Sequence, residues 1–397
     1  MKTLKLRILD KHVPKLGQVA SACNYVWNYV NALGFTHLQR TGKFFGAYDI
    51  AQYTKGAGEL LGLHSQTIQA ITETYVKSRK QFRKAKLKWR TNRQDSKHKA
   101  LGWIPFKKSA VKVLPSRQTG RKKRKTGIVL SLAKGCKLHI EVWDSYNLDL
   151  YQANTCELVQ DSRGRWYACI TVKDSPTWEC GSNKVGVDLG LKTAATTSNG
   201  EQLITKVTQA YAKALGTAQR AGNKARVKAI NAKIRHTRQD LIHKFTTNLV
   251  KDSAVIVVGD VKSTAIIQPR NKKKPTNQQT TPRPHRKRMK LAKSVYDAGW
   301  FELKRQLEYK CKHAGCQLEI VSERMTTQTC SCCGNTTGSP KGRTGLGIRE
   351  WTCGTCHTTH DRDINAARNI LAVGLHRLDV GIPSLKGGEE VNVRLES

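Results

Sequence analysis

Acid is scarce in this sequence. Its 397 residues hold 29 Asp and Glu against 70 Lys and Arg, a formal net charge of +41. Self-repulsion on that scale works against a compact state, so a polyanionic partner is its natural reason. Long apolar runs are missing too. No segment approaches the roughly 20 uninterrupted apolar residues that a spanning helix needs, which favours nucleic acid over a membrane as that partner. The opening stretch MKTLKLRILDKHVPK lacks the apolar core of a signal peptide, and a cytoplasmic protein is expected. Aromatic residues make up only 7% of the chain, so contacts to the nucleic-acid backbone should outweigh stacking on bases.

Cysteine, by contrast, is plentiful and unevenly spread. Five of the 12 (Cys330, Cys332, Cys333, Cys353, Cys356) crowd one short stretch, which in a reducing compartment suggests metal rather than disulfides. Cys330-Ser-Cys-Cys333 and Cys353-Gly-Thr-Cys356 are two C-x-x-C knuckles, separated by a Gly- and Lys/Arg-containing gap suited to a ribbon tip. Two-residue spacing lets both thiolates of a knuckle reach one ion at about 2.3 Å, and two knuckles complete a tetrahedron. Closed by four thiolates, a single Zn2+ here would be structural. Cys332 reads as a bystander, with Cys332 in place of Cys330 as the other assignment.

Periodicity orders the rest of the chain. Alternating Leu4, Leu6 and Ile8 predict a short strand, and Leu16, Val19, Ala20, Cys23, Val26, Trp27, Val30 and Leu33 predict one helix face. A second helix is predicted over 65–90, with Ile68, Ile71, Tyr75 and Phe82 inward. Its outward residues, Lys77, Arg79, Lys80, Arg83, Lys84, Lys86 and Lys88, have little acid to balance them and read as a phosphate-tracking face. Strands follow at Ile128–Leu132, Lys137–Val142 and Arg165–Val172, with the basic run 121–125 before them. Turn-formers at 174–183 mark a domain boundary. Beyond it lie two apolar strands, the second ending in the hairpin signal Asn199-Gly200, and a basic helical pair over 205–250. Next come a buried strand at Ala254–Val258, a basic loop over 270–290 expected to order on nucleic acid, and a helix carrying Trp300, Leu303, Leu307 and Cys311. Gln317–Val321 reads as another strand, and the last twenty or so residues show no periodicity and are expected to be disordered.

Two carboxylates stand out. Asp188 lies mid-strand in V-G-V-D-L-G, where an unpaired carboxylate would cost several kcal/mol, so a metal ion or a basic side chain must face it. Gly186 and Gly190 on either side are expected to leave room for a ligand. Downstream, His360-Asp-Arg-Asp363 opens a helix with Ala366, Ala367, Ile370 and Leu371 on one face, and Asp363 taken alone reads as an N-cap. Together the two acids suggest a site for two divalent ions about 4 Å apart that cuts phosphodiesters. Magnesium keeps several waters, so two or three acids suffice.

D-L-G at 188–190, K-I-R-H-T-R-Q-D-L-I-H-K at 233–244, V-V-G-D-V at 257–261, T-x-T-C-S-C-C-G at 327–334 and D-R-D-I-N-A-A-R-N-I at 361–370 occur in that order. The set resembles the TnpB (OrfB) family of transposon-encoded RNA-guided DNA endonucleases, relatives of type V CRISPR effectors, over most of 184–372. The resemblance implies an α+β multidomain fold, in which a wedge β-barrel with an inserted helical recognition lobe precedes an RNase H-like RuvC α/β domain holding an inserted zinc ribbon. The expected bounds are a first wedge strand over 1–10, the helical lobe over 11–100 and the barrel over 101–180. The nuclease follows over 181–325, the ribbon over 326–358, the last nuclease part over 359–374 and a tail over 375–397. The implied activity is magnesium-dependent cleavage of double-stranded DNA beside a short transposon-adjacent motif, directed by a guide RNA from the transposon end. The implied place is a prokaryotic cytoplasm, on the nucleoid when DNA is bound.

Carried over by position, Asp188 matches the first RuvC aspartate and Asp363 the last. The middle acid departs from the pattern, because the usual Glu at the end of the second strand is Gly259 here, followed by Asp260. Strand alternation would aim Asp260 at the opposite face. Glu323, just past the strand ending at Val321, is the preferred candidate, since some TnpB-like and Fanzor-like proteins pair Gly in the old place with Glu in the new. A plain surface role for Glu323 is the other reading. Expected magnesium ligands are thus Asp188, Glu323 and Asp363, with Asp260 as alternative. Expected nucleic-acid contacts are Gln66 and Gln69, suited to adenine edges, with Lys77, Lys80, Trp89, Arg90, Lys107, Lys108, Lys233, Arg235, His243 and Lys244. Competing readings are a nuclease-dead guided repressor, a type V CRISPR effector, and a guide-independent zinc-ribbon DNA binder or transposase.

Overall fold

The computed structural model describes residues 2–91, 99–119, 124–133, 135–173, 178–261, 285–340 and 344–379, with 285–290 described by backbone alone. The basic run at 121–123, much of the 174–183 boundary, the 270–284 loop and the tail beyond 379 lie outside the described residues. Two compact units divide the chain, 1–176 and 177–397.

In the first unit, Leu4, Leu6 and Ile8 turn one face of β1 (Lys2–Ile8) into the core, as their alternation demands. β1 then sits in the middle of a seven-stranded antiparallel sheet, between β7 (Trp166–Val172) and β5 (Cys136–Trp143). The full order is β2-β6-β7-β1-β5-β4-β3, where β2 is Trp103–Phe106, β3 Val111–Gln118, β4 Arg124–Ala133 and β6 Ala153–Gln160. Between β1 and β2 the chain forms α1 (Val13–Thr41), α2 (Ala47–Ala51), α3 (Ala57–Leu61) and α4 (Ser65–Phe82). Sheet and helices share one core, in which Trp27 meets Tyr75 and Trp103 edge-on.

α4 stops at Phe82, short of the predicted 90, with Arg83 in the left-handed region (φ 50). Side-chain amides explain the early end. Asn31, fully buried, donates to the Leu87 carbonyl (2.8 Å) and accepts from its N–H (3.0 Å), and Asn28 binds Arg90 the same way (2.7 and 2.8 Å). Those bonds lay 87–90 along α1 as an extended strip, replacing the helical bonds it forgoes. Arg79, expected outward, is buried: it donates to the Phe45 carbonyl and stacks on the Phe44 ring.

The second unit is built on a five-stranded sheet of order β10-β9-β8-β11-β12. β8 (Asn183–Asp188), β11 (Ser253–Gly259) and β12 (Gln317–Val321) run parallel, while β9 (Ala195–Thr197) and β10 (Gln202–Leu203) form the hairpin that turns at Gly200 (φ 92). After α5 (Val207–Ala210) and α6 (Ala212–Arg220), the long α7 (Lys224–Asp252) leads into β11, and α8 (His285–Ala298) and α9 (Trp300–Ala314) lead into β12. Val185, Val187, Ile256 and Val258 form one core with Ile242 and Leu249 of α7 and Leu303 and Leu307 of α9. α10 (Arg362–Asp379) packs where Val257, Val321 and Ile370 meet. Burial on both faces accounts for the unbroken apolar runs of the parallel strands. Among the described residues no helix is long and apolar enough to cross a membrane.

Gly186 makes the approach of α10 possible. A Cβ there would lie 2.0 Å from the Ala367 carbonyl oxygen and 2.8 Å from Leu371 Cβ. The room expected for a ligand is thus filled by a helix, and Gly190 likewise faces the Thr193 carbonyl. Gly186→Ala should destabilise the protein by about 1–3 kcal/mol through overpacking. Urea denaturation measures it, and a change below about 0.5 kcal/mol would contradict the close approach.

Candidate carboxylate site and cysteine cluster

Register brings the acids together. Val187 pairs with Val258 and Gly259 with Val321, so Asp188, Gly259 and the segment after Val321 meet at the C-terminal ends of three adjacent parallel strands. Such ends are where open α/β sheets place ligands. α10 starts beside them. Asp361 caps it, its Oδ1 accepting from the N–H of Asp363 and Ile364 at 2.9 Å each. Capping falls to the first Asp of D-R-D, and Asp363, which read alone as an N-cap, has both carboxylate oxygens free of that duty. Instead they accept a two-pronged bond from Arg349 Nη1 (2.9 and 2.8 Å).

Asp188 is 8% exposed, and burial together with the charges of Glu323 and Asp363 pushes its carboxyl up to about 8. Arg362 and Arg349 oppose that shift. Glu323 is driven up to about 7, chiefly by burial. Its carboxylate lies where a side chain on Gly259 would go: a Cβ on Gly259 would fall 2.2 Å from Glu323 Oε1 and 2.8 Å from Cδ. Oε1 is buried with no hydrogen-bond partner. An unpartnered carboxylate oxygen beside two other acids is a poor place for protein alone and a good one for a hard cation, so these residues fit magnesium. Asp260 behaves differently. Alternation turns it from the face of Gly259, and its Oδ1 accepts from Lys304 Nζ of α9 at 2.8 Å.

The cysteines converge as well. Ligand atoms of Cys330, Cys333, Cys353 and Cys356 all lie within 4.8 Å of one another, and Sγ pairs 330–356 and 333–353 are 3.6 Å apart. Tetrahedral thiolates at about 2.3 Å from an ion would be about 3.8 Å apart. Bonds from the Thr358 hydroxyl and N–H pull the Cys356 thiol down to about 6, favouring the thiolate. Cys332 is exposed and outside the group. β13 (Glu350–Thr352) and β14 (Thr359–Asp361) flank the second knuckle, and His360 Nε2 sits 3.0 Å from Cys330 Sγ.

The sequence-predicted contacts fall into two groups. Lys77, Lys80, Gln69, Lys233, Arg235, His243, Lys244 and Trp89 are exposed, although Lys244 pairs with Asp240. Arg90 is not available as expected: its guanidinium lies over Trp27 and Trp103 and donates to Asn24 and to the Leu101 carbonyl. Gln66 accepts from Ser109, and Lys107 pairs with Glu73. Aromatics are few but concentrated: Tyr25, Tyr29, Phe44, Tyr48, Tyr53, Phe82 and Trp89 are all exposed on or beside the four helices of the first unit. Arg349, Arg362 and Lys304 carried no signal of a role in sequence, because their partners lie 14, 174 and 44 positions away along the chain.

Clustered carboxylates where three parallel strands end, with a four-cysteine cluster in the same unit, define a mixed α/β protein with two candidate metal sites. Residues 167–269 match the OrfB_IS605 family, described as "Probable transposase", and residues 300–370 match "Cas12f1-like, TNB domain". A Streptomyces pristinaespiralis protein named "Putative RNA-guided DNA endonuclease" is 32% identical over 56% of this chain and 54% of its own length. "Putative RNA-guided DNA endonuclease InsQ" of Escherichia coli K12 is 30% identical over 54% of this chain and 56% of its own. The chain thus spans about half the length of the curated relatives it matches. In fold it is similar to the protein in the Cas12f1-sgRNA-target DNA complex, with TM-score 0.53 and 14% identity over 91% of this chain and 83% of that one. The chain is thus similar to OrfB-type and Cas12f1-like proteins over 167–269 and 300–370, the stretches where its motifs lie.

The raised carboxyls give a pH dependence. Native values of about 8 and about 7 lie above the unfolded range near 4, so ionising Asp188 and Glu323 costs the native state. Without metal, their protonated forms cost nothing below about pH 4, and stability falls as pH climbs through about 8. A bound cation displaces those protons, so Mn2+ affinity should rise between about pH 6 and pH 8 with proton release. Calorimetry in buffers of different ionisation enthalpy measures this, and an affinity flat across that range would contradict it.

Proposed function

We propose that the protein is an RNA-guided, magnesium-dependent endonuclease that cleaves double-stranded DNA beside a short transposon-adjacent motif. The observation carrying this reading is the Glu323 carboxylate in the space left by Gly259, which completes a three-acid set with Asp188 and Asp363. Asp188, Glu323 and Asp363 would hold the divalent ions, which when bound supply Lewis acidity and a water of lowered pKa for phosphodiester hydrolysis. The parallel strands fix Asp188, while the capped end of α10 fixes Asp363. Arg349, Arg362 and Lys304 surround the acids with positive charge suited to phosphate oxygens. On this reading the second unit is an RNase H-like RuvC domain with an inserted ribbon held by one Zn2+ on Cys330, Cys333, Cys353 and Cys356. In the first unit, the sheet serves as the wedge barrel and its helices as the recognition lobe. Guide RNA and target DNA would engage basic exposed side chains including Lys77, Lys80 and Arg235, and the exposed aromatics of the lobe add sites for stacking on unpaired bases.

A nuclease-dead guided repressor is the alternative that the missing Glu at 259 would favour. Cleavage by the chain co-purified with its RNA decides between them. Asp188→Ala and Glu323→Ala should each lower magnesium-dependent cleavage by about 10²–10³-fold or more, with Asp260→Ala retaining most of it. Guided DNA binding without cleavage by the wild type would sink the enzyme reading. Loss in Asp260→Ala but not in Glu323→Ala would assign the middle acid to Asp260.

Zinc has its own test. Elemental analysis should find one zinc per chain in the wild type and in Cys332→Ser, and less than half of that in Cys353→Ser. Equal loss in Cys332→Ser would contradict the ligand set.

A further inference from the structure

Glu323 belongs to no strand or helix. It follows β12 by two residues and opens a loop through Met325 (φ 64) to the first knuckle. A carboxylate on a loop needs something else to hold it at a set distance from Asp363. Thr326 begins that connection: it is buried, and both its N–H (3.3 Å) and its hydroxyl (2.9 Å) donate to the Glu323 carbonyl. Two amides on α10 grip the same loop. Asn369 Nδ2 donates to the carbonyls of Thr326 (2.8 Å) and Thr329 (2.7 Å). Asn365 Nδ2 donates to the same two oxygens (3.4 and 2.8 Å), and its Oδ1 accepts from Ser331 N–H at 2.8 Å. The two asparagines are four residues apart and therefore on one helix face. Asn365 is 1% exposed, so no water can replace these bonds cheaply.

From this geometry we propose that Asn365 and Asn369 are positioning residues. Together they form an amide clasp that holds Glu323 in register with Asp363 on the same helix and anchors the cysteine knuckle to it. Asn365 stands two residues beyond Asp363, and the Ser331 it binds directly follows Cys330. His360, two residues before α10 begins, adds a second tie, its Nε2 lying 3.0 Å from the Cys330 sulfur. One helix thus carries a carboxylate and grips both the loop of the second carboxylate and the loop of the first zinc ligand. The inference rests on the reading of Asp188, Glu323 and Asp363 as a divalent-metal site.

Its test uses the full chain with Asn369→Ala and the equally shaped, donor-free Asn369→Asp. Asn369 is half-buried and Ala is a good helix former, so the fold should persist. Three quantities are measured: Mn2+ affinity, backbone hydrogen exchange over 322–331, and zinc content. Both variants should bind Mn2+ at least tenfold more weakly, exchange faster in that loop, and keep one zinc per chain. Unchanged exchange would overturn the clasp, whatever the metal does. Faster exchange with Mn2+ affinity within twofold of wild type would overturn the positioning role. Mn2+ binding that is absent from wild type, or indifferent to Asp188→Ala, would instead defeat the metal reading and this inference with it.

Discussion

Everything at the carboxylate site depends on how closely α10 can lie on β8. Contact of helix backbone with strand backbone over Gly186 brings the capped end of the helix to the end of the strand. Asp363 and Asp188 are 175 residues apart in sequence and meet only because nothing larger than hydrogen stands between those elements. The same helix packs Ile370 against Val257 and Val321, so one docking event orders the acids and buries that side of the sheet. Apolar packing supplies the energy, and the crowded negative charge is its cost.

Compensation for that charge is distributed. Arg349 comes from the ribbon side of the second knuckle, Arg362 from within D-R-D, and Lys304 from α9 on the other face of the sheet, tethered by Asp260. None of them hydrogen-bonds the buried Oε1 of Glu323, although Lys304 lowers its carboxyl from a distance. That residual demand for a cation is what the proposed magnesium chemistry would satisfy, and the clasp of Asn365 and Asn369 is the means by which a loop residue is held to the tolerance such a site needs.

Glu323 in the space beside Gly259 shows how a carboxylate can reach the end of one strand from its neighbour. Neighbouring parallel strands end side by side, so a carboxylate from one can occupy the volume vacated by the other. The nearer acid is engaged by another partner. Asp260 is only one residue from Gly259, yet it points to the face where Lys304 waits.

Much of this was legible in sequence because it depends on short-range pattern. Strand alternation at Leu4, Leu6 and Ile8, the paired C-x-x-C knuckles, the Asn199-Gly200 turn and the apolar run into Asp188 each report local geometry within a few residues. What tertiary structure alone decided concerns partners far apart along the chain. The predicted helix over 65–90 ended early because Asn28 and Asn31, more than fifty residues away, supplied other hydrogen bonds. Arg79 and Arg90 read as surface cations until aromatic rings from distant segments covered them. Gly186 read as room for a ligand, and a helix from the far end of the chain took it. Residue type and spacing determined which groups could carry charge and bind metal. Only the packed fold decided which of them face one another, because that depends on the close approach of backbones rather than on any property of the single residue.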